Sequence, residues 1–323
     1  MNYLKNFMKK IPKKLVTHNG NFHSDDIFAA ATLSIYLERQ GETFEIIRTR
    51  DEEIIASGDY VFDIGYVYDP DLNRFDHHQP GGAGKHESKN GEPGIEYSSF
   101  GLVWKKFGAE LCGGEKAAGV IETKLVAPID AFDNGFDLVQ NKYETTPYYI
   151  QHLFFSMRPT WREEEARAKA EGVEHDSSKL KDEMFLKCVE IAKVALDREI
   201  ILSNDMVLAE NHVISDYKKS QDKRIIVLDD KYPFGALHDF PEPLYVIYPR
   251  NITSDWGIEA VRVNPKTFSN RKNFPEAWGG LRNEELERVT GVEGSIFCHR
   301  GLFLAVAKTK EGAMKLAQIA VES

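Results

Sequence analysis

Short apolar runs alternate with helix-sized segments through the N-terminal third of the chain, and several of the runs end on residues that can bind a cation. Lys14-Leu15-Val16-Thr17 opens into the polar loop His18–Phe22, and further strands are predicted near Phe44–Arg48, at Tyr60–Asp63 and at Asn73–Asp76. Ser24 is a good N-cap, with Asp25 and Asp26 in the first turn of a helix running to about Arg39. Its apolar face holds Ile27, Ala30, Ala31, Ser34 and Ile35. Strands alternating with helices predict an α/β domain built on a mostly parallel sheet with helices on both faces. Such sheets bind ligands at the carboxyl ends of their strands, where His18, Asp63 and Asp76 fall.

Residues 81–94, rich in Gly, Lys and Glu, predict a mobile loop beside that edge. Helices are predicted at Ser98–Phe107, at Glu115–Ala127 and near Tyr148–Met157, the last ended by Pro159. Arg162–Lys181 reads as a solvated insertion or helix end, and Lys181–Leu202 as a long amphipathic connector. From Val207 on, strand signals dominate, at Arg224–Leu228, Leu244–Tyr248, Gly257–Val263 and Leu302–Ala307, before a closing helix at Glu311–Val321. The expected organisation is a metal-binding domain over 14–180, a connector over 181–206 and a smaller α/β domain over 207–323. At 323 residues, the chain has the length of about two ordinary domains.

Composition excludes some functions. No apolar run approaches the roughly 20 residues that span a bilayer, so no membrane role is expected. The first fourteen residues carry several Lys and no acid, and they read as a basic leader without the apolar core of a secretory signal. Three widely spaced cysteines form no CxxC pair, which fits a reducing, cytoplasmic setting. A net charge of −10 argues against coating nucleic acid by bulk electrostatics. It leaves a nuclease open, because clustered metal-binding carboxylates themselves lower the charge.

Four segments supply candidate ligands: His18 to Asp26, Phe62-Asp63-Ile64-Gly65, Phe75-Asp76-His77-His78-Gln79, and Asp130 with Asp133. Hard divalent cations prefer carboxylate oxygen, and imidazole can complete their shell. Two ions about 3.5–4 Å apart can activate a water and stabilise a leaving oxygen. The structural alternatives are plain for single residues. Asp25 suits a helix N-terminus, Asp26 reads as a solvated first-turn acid, and Asp133-Asn134-Gly135 is also a turn signal. His86, His152, His175, His212 and His238 read as structural.

An Asp-His-His after a strand, preceded by a strand-end Asp and an N-terminal His/Asp loop, resembles the DHH phosphoesterase superfamily of RecJ-type exonucleases, nano-RNases and family II pyrophosphatases. A fuller match is to the melanocyte proliferating gene one (Myg) family. It is carried by Thr17-His18-Asn19-Gly20, Phe22-His23-Ser24-Asp25-Asp26, Phe75 to Gln79, Tyr97 to Trp104, Ile129 to Gly135, Trp278-Gly279-Gly280-Leu281 and Cys298 to Phe303. The resemblance implies a metal-dependent hydrolase and, as in eukaryotic members, a 3′–5′ RNA exonuclease.

By the same resemblance His18, His23, Asp25, Asp63 and His77 are metal ligands, with Asp63 bridging two ions. His23 stands where the superfamily's first Asp is usual, in a loop one residue longer. Asp76 is expected to orient His77, and His78 to act on the substrate side. Asp130 and Asp133 compete for the fourth motif, with Asp130 favoured. In the second domain Gly279, Gly280, His299 and Arg300, followed by Arg262 and Arg282, are expected to meet substrate phosphate. Trp278 and Phe303 are candidate stacking aromatics, with core packing favoured for Phe303.

The expected protein is a two-domain phosphodiesterase whose active site lies in the interdomain cleft. It would use two divalent ions, Mn²⁺ ahead of Mg²⁺, Co²⁺ or Zn²⁺, to shorten single-stranded RNA or oligonucleotides from the 3′ end. Arg300 and His78 would offset charge at phosphorus. Two rivals remain: a phosphoesterase for pyrophosphate, a cyclic dinucleotide or a nucleotide, and a non-catalytic metal-stabilised binding protein. Self-association is compatible with either.

Overall fold

Each apolar run of the N-terminal third forms a strand in the computed structural model, which describes residues 11–87, 94–172, 178–265 and 267–323. Residues 1–10 of the basic leader, 88–93 of the Gly-rich loop, His175 and Lys266 lie outside the described residues. The chain divides into two compact units, Met1–Asn204 and Asp205–Ser323.

The first unit holds β1 (Lys13–Thr17), β2 (Phe44–Arg48), β3 (Tyr60–Phe62), β4 (Tyr68–Asp69) and β5 (Arg74–Phe75). Their order is β2-β1-β3-β5-β4, parallel except for the β4–β5 pair. Strands β1, β3 and β5 are therefore adjacent and point the same way. The residues that follow them, His18, Asp63 and Asp76, leave the sheet at one end.

The helix after β1, α1 (Ser24–Arg39), is more deeply buried than a one-sided apolar face predicts. Ile27, Phe28, Ala29, Ala30, Ala31 and Leu33 are all fully buried, each large one contributing roughly 1.5–3 kcal/mol. The hydroxyls of Thr32 and Ser34 donate to the carbonyls of Phe28 and Ala30 at 2.7 Å, so these polar residues are satisfied inside. A short α2 (Glu52–Ala56) links β2 to β3, capped by Asp51.

After the sheet come α3 (Ser99–Cys112), α4 (Glu115–Ile121) and α5 (Ala127–Asp133). A π-helical stretch, Glu122–Val126, joins α4 to α5 without a break. Further on are α6 (Ile150–Ser156) and α7 (Trp161–Glu171), the latter in the stretch expected to be a solvated insertion or helix end. Thr160 and Glu163 form its capping box. The connector helix α8 (Ser178–Lys219) runs well past the expected end at Leu202. It meets no Gly or Pro over that length, and Ala209 and Val213 keep an i, i+4 buried spacing.

The second unit has β6 (Ile225–Val227), β7 (Tyr245–Arg250), β8 (Asp255–Ala260), α9 (Asn283–Thr290), β9 (Ser295–Cys298), β10 (Leu304–Ala307) and α10 (Lys310–Glu322). Its sheet, β6-β7-β8-β10-β9, is antiparallel except for β6–β7. Tyr245, Ile258, Phe274, Trp278, Leu286, Ala305 and Leu316 are among the residues of its core. Leu302, expected to begin a strand, instead sits in the turn between β9 and β10 with φ of 58°. The fold class is α/β, with two mixed sheets flanked by helices. Among the described residues no helix is long and apolar enough to cross a membrane.

Candidate metal centre

Three strand ends and two helices deliver the site. His18, directly after β1, is buried, with Nε2 3.1 Å from Asp63 Oδ2 and 3.2 Å from Asp26 Oδ2. Asp63, directly after β3, adopts the left-handed conformation (φ 56°). Its other oxygen lies 3.3 Å from His77 Nε2 and 3.7 Å from His78 Nδ1. His77 Nε2 is also 3.5 Å from Asp133 Oδ2 at the end of α5. Asp25 is fully buried in the first turn of α1 and accepts the Ser99 hydroxyl at 2.7 Å through one oxygen.

The candidate ligand atoms form three overlapping groups, His18–His23–Asp63, Asp63–His77–His78 and His23–Asp25–Asp133, each within 4.8 Å. Asp63 and His23 are each shared by two groups. Asp25 Oδ1, Asp26 Oδ2, Asp63 Oδ1 and His77 Nε2 are buried yet have no aligned hydrogen-bond partner. Asp63 Oδ1 and His77 Nε2 are close without being hydrogen-bonded to each other. Atoms bound to one ion at about 2.1 Å in octahedral geometry stand roughly 3 Å apart, so this spacing fits common ligands better than a donor and an acceptor. Mixed carboxylate and imidazole donors suit a divalent transition ion.

The electrostatics agree. Burial disfavours the charged forms, but His18 and His77 hold the Asp63 carboxyl well below its usual range. Against the same burial, Asp26 and Asp63 push His18 up to about 10. Burial and then the neighbouring Asp133, Asp63 and Asp26 push Asp25 well up. Burial and Asp63 also raise Asp133. Four carboxylates this close need positive charge among them.

The remaining expected residues have distinct placements. Asp76 takes the His77 and His78 amides and the His78 Nδ1–H on one oxygen, at 2.7, 3.1 and 2.7 Å, and the Tyr66 amide on the other at 2.6 Å. It therefore orients the His78 ring; its contact with His77 is through the backbone. Asp130 lies outside the three groups. It accepts Ser98 Oγ at 2.5 Å, the Gly101 amide at 3.1 Å and His86 Nε2 at 2.6 Å. Gly101 permits this approach, since a Cβ there would stand 1.9 Å from Asp130 Oδ2.

One sequence expectation is overturned here. Asp26, expected to be solvated, is fully buried; it accepts the His23 amide at 2.9 Å and faces His18. His86, expected to be structural, lies outside the three groups and has partners that the sequence did not show. It bridges Asp130 to Glu122 Oε1 (3.0 Å), and these carboxylates outweigh burial to push it up to about 9. Arg48 and Arg158, which hold the His18–His23 loop by its carbonyls, also went unflagged. Their only sequence signal is a lone cation beside apolar residues.

In the second unit, Gly280 (φ 80°) donates to the Cys298 carbonyl at 3.0 Å, which sets the Gly279-Gly280 turn beside His299 and Arg300. Arg300 is exposed, and His299 Nδ1 accepts the Gly301 amide at 2.9 Å. Arg282 lies over Phe297 at 4.6 Å, whereas Arg262 lies over Phe268 at 5.0 Å. Trp278 is core, 3% exposed, while Phe303 is 38% exposed and packs its ring 4.4 Å from His299, the reverse of the packing favoured for it.

A family model described as Uncharacterised protein family (UPF0160) and labelled MYG1_exonuc matches residues 14–321. The MYG1 exonuclease of Homo sapiens is 30% identical over 331 residues, covering 95% of this chain and 85% of that protein. The MYG1 protein of Schizosaccharomyces pombe is 26% identical, covering 96% and 97% of the two chains. That of Chlamydia pneumoniae is 27% identical, covering 97% and 98%. With a match across nearly its whole length, the chain belongs to the MYG1 family.

Proposed function

We propose that this chain is a divalent-metal-dependent phosphodiesterase that removes nucleotides from the 3′ end of single-stranded RNA or short oligonucleotides. One observation carries the reading: Asp25 Oδ1, Asp26 Oδ2, Asp63 Oδ1 and His77 Nε2 are buried without a hydrogen-bond partner among three overlapping groups of candidate ligand atoms, the atoms of each group lying within 4.8 Å of one another. The exonuclease name of the mammalian relatives supports a nucleic-acid substrate, and the choice of single-stranded RNA follows the family resemblance. His18, His23, Asp25, Asp63, His77 and Asp133 would hold the ions, Mn²⁺ first among them given the mixed donor set. Bound there, such ions supply a water of lowered pKa and positive charge beside the phosphorus.

The chain's own residues do the rest. Asp63, kept ionised by His18 and His77, is available to two groups at once. Ser99 fixes the rotamer of Asp25. Asp76 holds the half-exposed His78 by Nδ1, and that bond raises the ring's proton affinity. His78 is then suited to donate from its other nitrogen to a phosphate oxygen. In the second unit, exposed Arg300 offers a guanidinium that suits a phosphate, while the Gly279 and Gly280 amides are already engaged by the Glu276 and Cys298 carbonyls.

The test is a substrate panel with Mn²⁺: single-stranded RNA, single-stranded DNA, dinucleotides and pyrophosphate. The expected result is stepwise shortening of 5′-labelled RNA, abolished by chelation and by Asp63→Asn. Turnover confined to pyrophosphate or dinucleotides would replace this reading with the small-molecule phosphoesterase that a net charge of −10 suits. Metal uptake without turnover of any substrate would leave a binding protein.

A further inference from the structure

The loop bearing His18 and His23 has no strand or helix of its own, and such segments open at low free-energy cost. Two guanidiniums from outside it grip its backbone. Arg48, the last residue of β2, donates from one terminal nitrogen to the Gly20 carbonyl at 2.9 Å and from the other to Asp182 of α8 at 2.7 Å. Arg158, beyond the end of α6, donates to the Phe22 carbonyl from Nε at 2.9 Å and also from a terminal nitrogen.

Phe22 is fully buried, and both guanidiniums approach its ring, at 5.7 and 5.9 Å from the centroid. Arg48 also covers Phe185 at 4.5 Å, and Arg158 covers Phe155 at 4.0 Å. A surface arginine leaves its head in water, where an ion pair contributes little. The Arg48 side chain is only 2% exposed, and its Nε is buried without a partner. Burying that charge is costly, and the cost is offset by holding the carbonyls and ring of one short loop.

We propose that Arg48 and Arg158 are positioning residues that clamp this loop at Gly20 and Phe22 and so fix His18 and His23 for cation binding. The inference rests on the metal reading of the site. The two gripped carbonyls lie between the two histidines in sequence, so losing either grip frees the loop that sets their spacing. The Asp63–His77–His78 group takes no ligand from the loop and is not held by the clamp.

The experiment is calorimetric titration of Mn²⁺ into the metal-free full-length chain, with denaturant unfolding of each variant alongside. Arg48→Met and Arg158→Met should weaken part of the Mn²⁺ binding by about 10- to 100-fold and spare the rest, the scale for losing groups that orient metal ligands. Arg158→Lys should recover part of the loss, since an ammonium donates to the carbonyl but lacks the planar fork. If Arg48→Met does not fold, the two Arg158 variants decide. Folded variants that bind Mn²⁺ with wild-type affinity, even at a lowered unfolding midpoint, would overturn the clamp and leave a purely structural pair. A wild-type chain that binds no Mn²⁺ is a different result, because it overturns the metal reading itself.

Discussion

Asp130 and Asp133 stand one turn apart at the end of α5, yet their carboxylates serve different neighbours. Asp130 is tied to Ser98, Gly101 and His86, while Asp133 belongs to the group with His23 and Asp25. The two substitutions should therefore separate. Asp130→Asn is expected to cost on the order of 2 kcal/mol of stability by disturbing a buried hydrogen-bonded charge, with metal content unchanged. Asp133→Asn should lower metal content without lowering the stability of the metal-free protein, because it removes a carboxylate from a crowded cluster. Elemental analysis and urea unfolding of both proteins check this. Equal metal loss in the two would remove the distinction.

Metal binding should release protons. In the metal-free centre His18, despite its burial, is pushed up to about 10 by Asp26 and Asp63, so it holds a proton that cation binding must displace, and Asp25 and Asp133 are shifted upward, toward binding protons as well. Apparent Mn²⁺ affinity is expected to rise with pH from about 6 to 9, as such linkage requires. Calorimetry in two buffers of different ionisation heat measures the protons released. Affinity independent of pH would contradict the assignment of these groups as ligands.

His86 makes a prediction about stability. Its folded-state value of about 9 lies above the ordinary 6.5, so its pairing stabilises the fold fully below pH 6.5 and is lost as pH rises through 9. The unfolding midpoint of the chelator-treated wild type should fall across that window. His86→Gln should begin less stable and lose less over the same range. Parallel pH profiles for the two proteins would show that the bridge to Asp130 and Glu122 carries no net stabilisation.

Arg300 is expected to act on substrate, because it is exposed and flanked by a turn rather than engaged in the core. Arg300→Ala should leave the melting temperature and metal content unchanged while kcat/KM falls by roughly 10²–10³, the scale for losing one preorganised donor. Arg300→Lys should recover only part of it. Unchanged kinetics, on a substrate the wild type cleaves, would reduce Arg300 to a surface cation.

The strand-end residues of the first unit are legible in the sequence because a parallel sheet turns local information into placement. The runs of β1, β3 and β5 each lead directly into the candidate site residues, and the adjacency of these strands brings their ends together. What sequence does not reveal depends on which side chains meet in space, at short or long separation along the chain. Asp26 looks solvated until His18 and the His23 amide are seen against it. His86 needs Glu122 and Asp130, and Arg48 needs Gly20 and Asp182. The second unit hides a hairpin for a local reason. Leu302 takes a left-handed turn inside the apolar run Leu302–Ala307, so β10 begins later than expected, and the four-residue β9 before it is too short to carry a strand signal of its own.

The π-helical stretch Glu122–Val126 gives the helix before it a residue of slack. An α-helix turns about 100° per residue, and the wider i→i+5 helix about 80°, so five π-helical residues cover nearly the rotation of four α-helical ones. Removing one residue here would let α4 run into α5 as continuous α-helix and leave Asp133 facing His77 and Asp130 facing His86. A second deletion finds no such slack. It would turn the downstream end by about 100° and part both pairs, although no residue of either had changed.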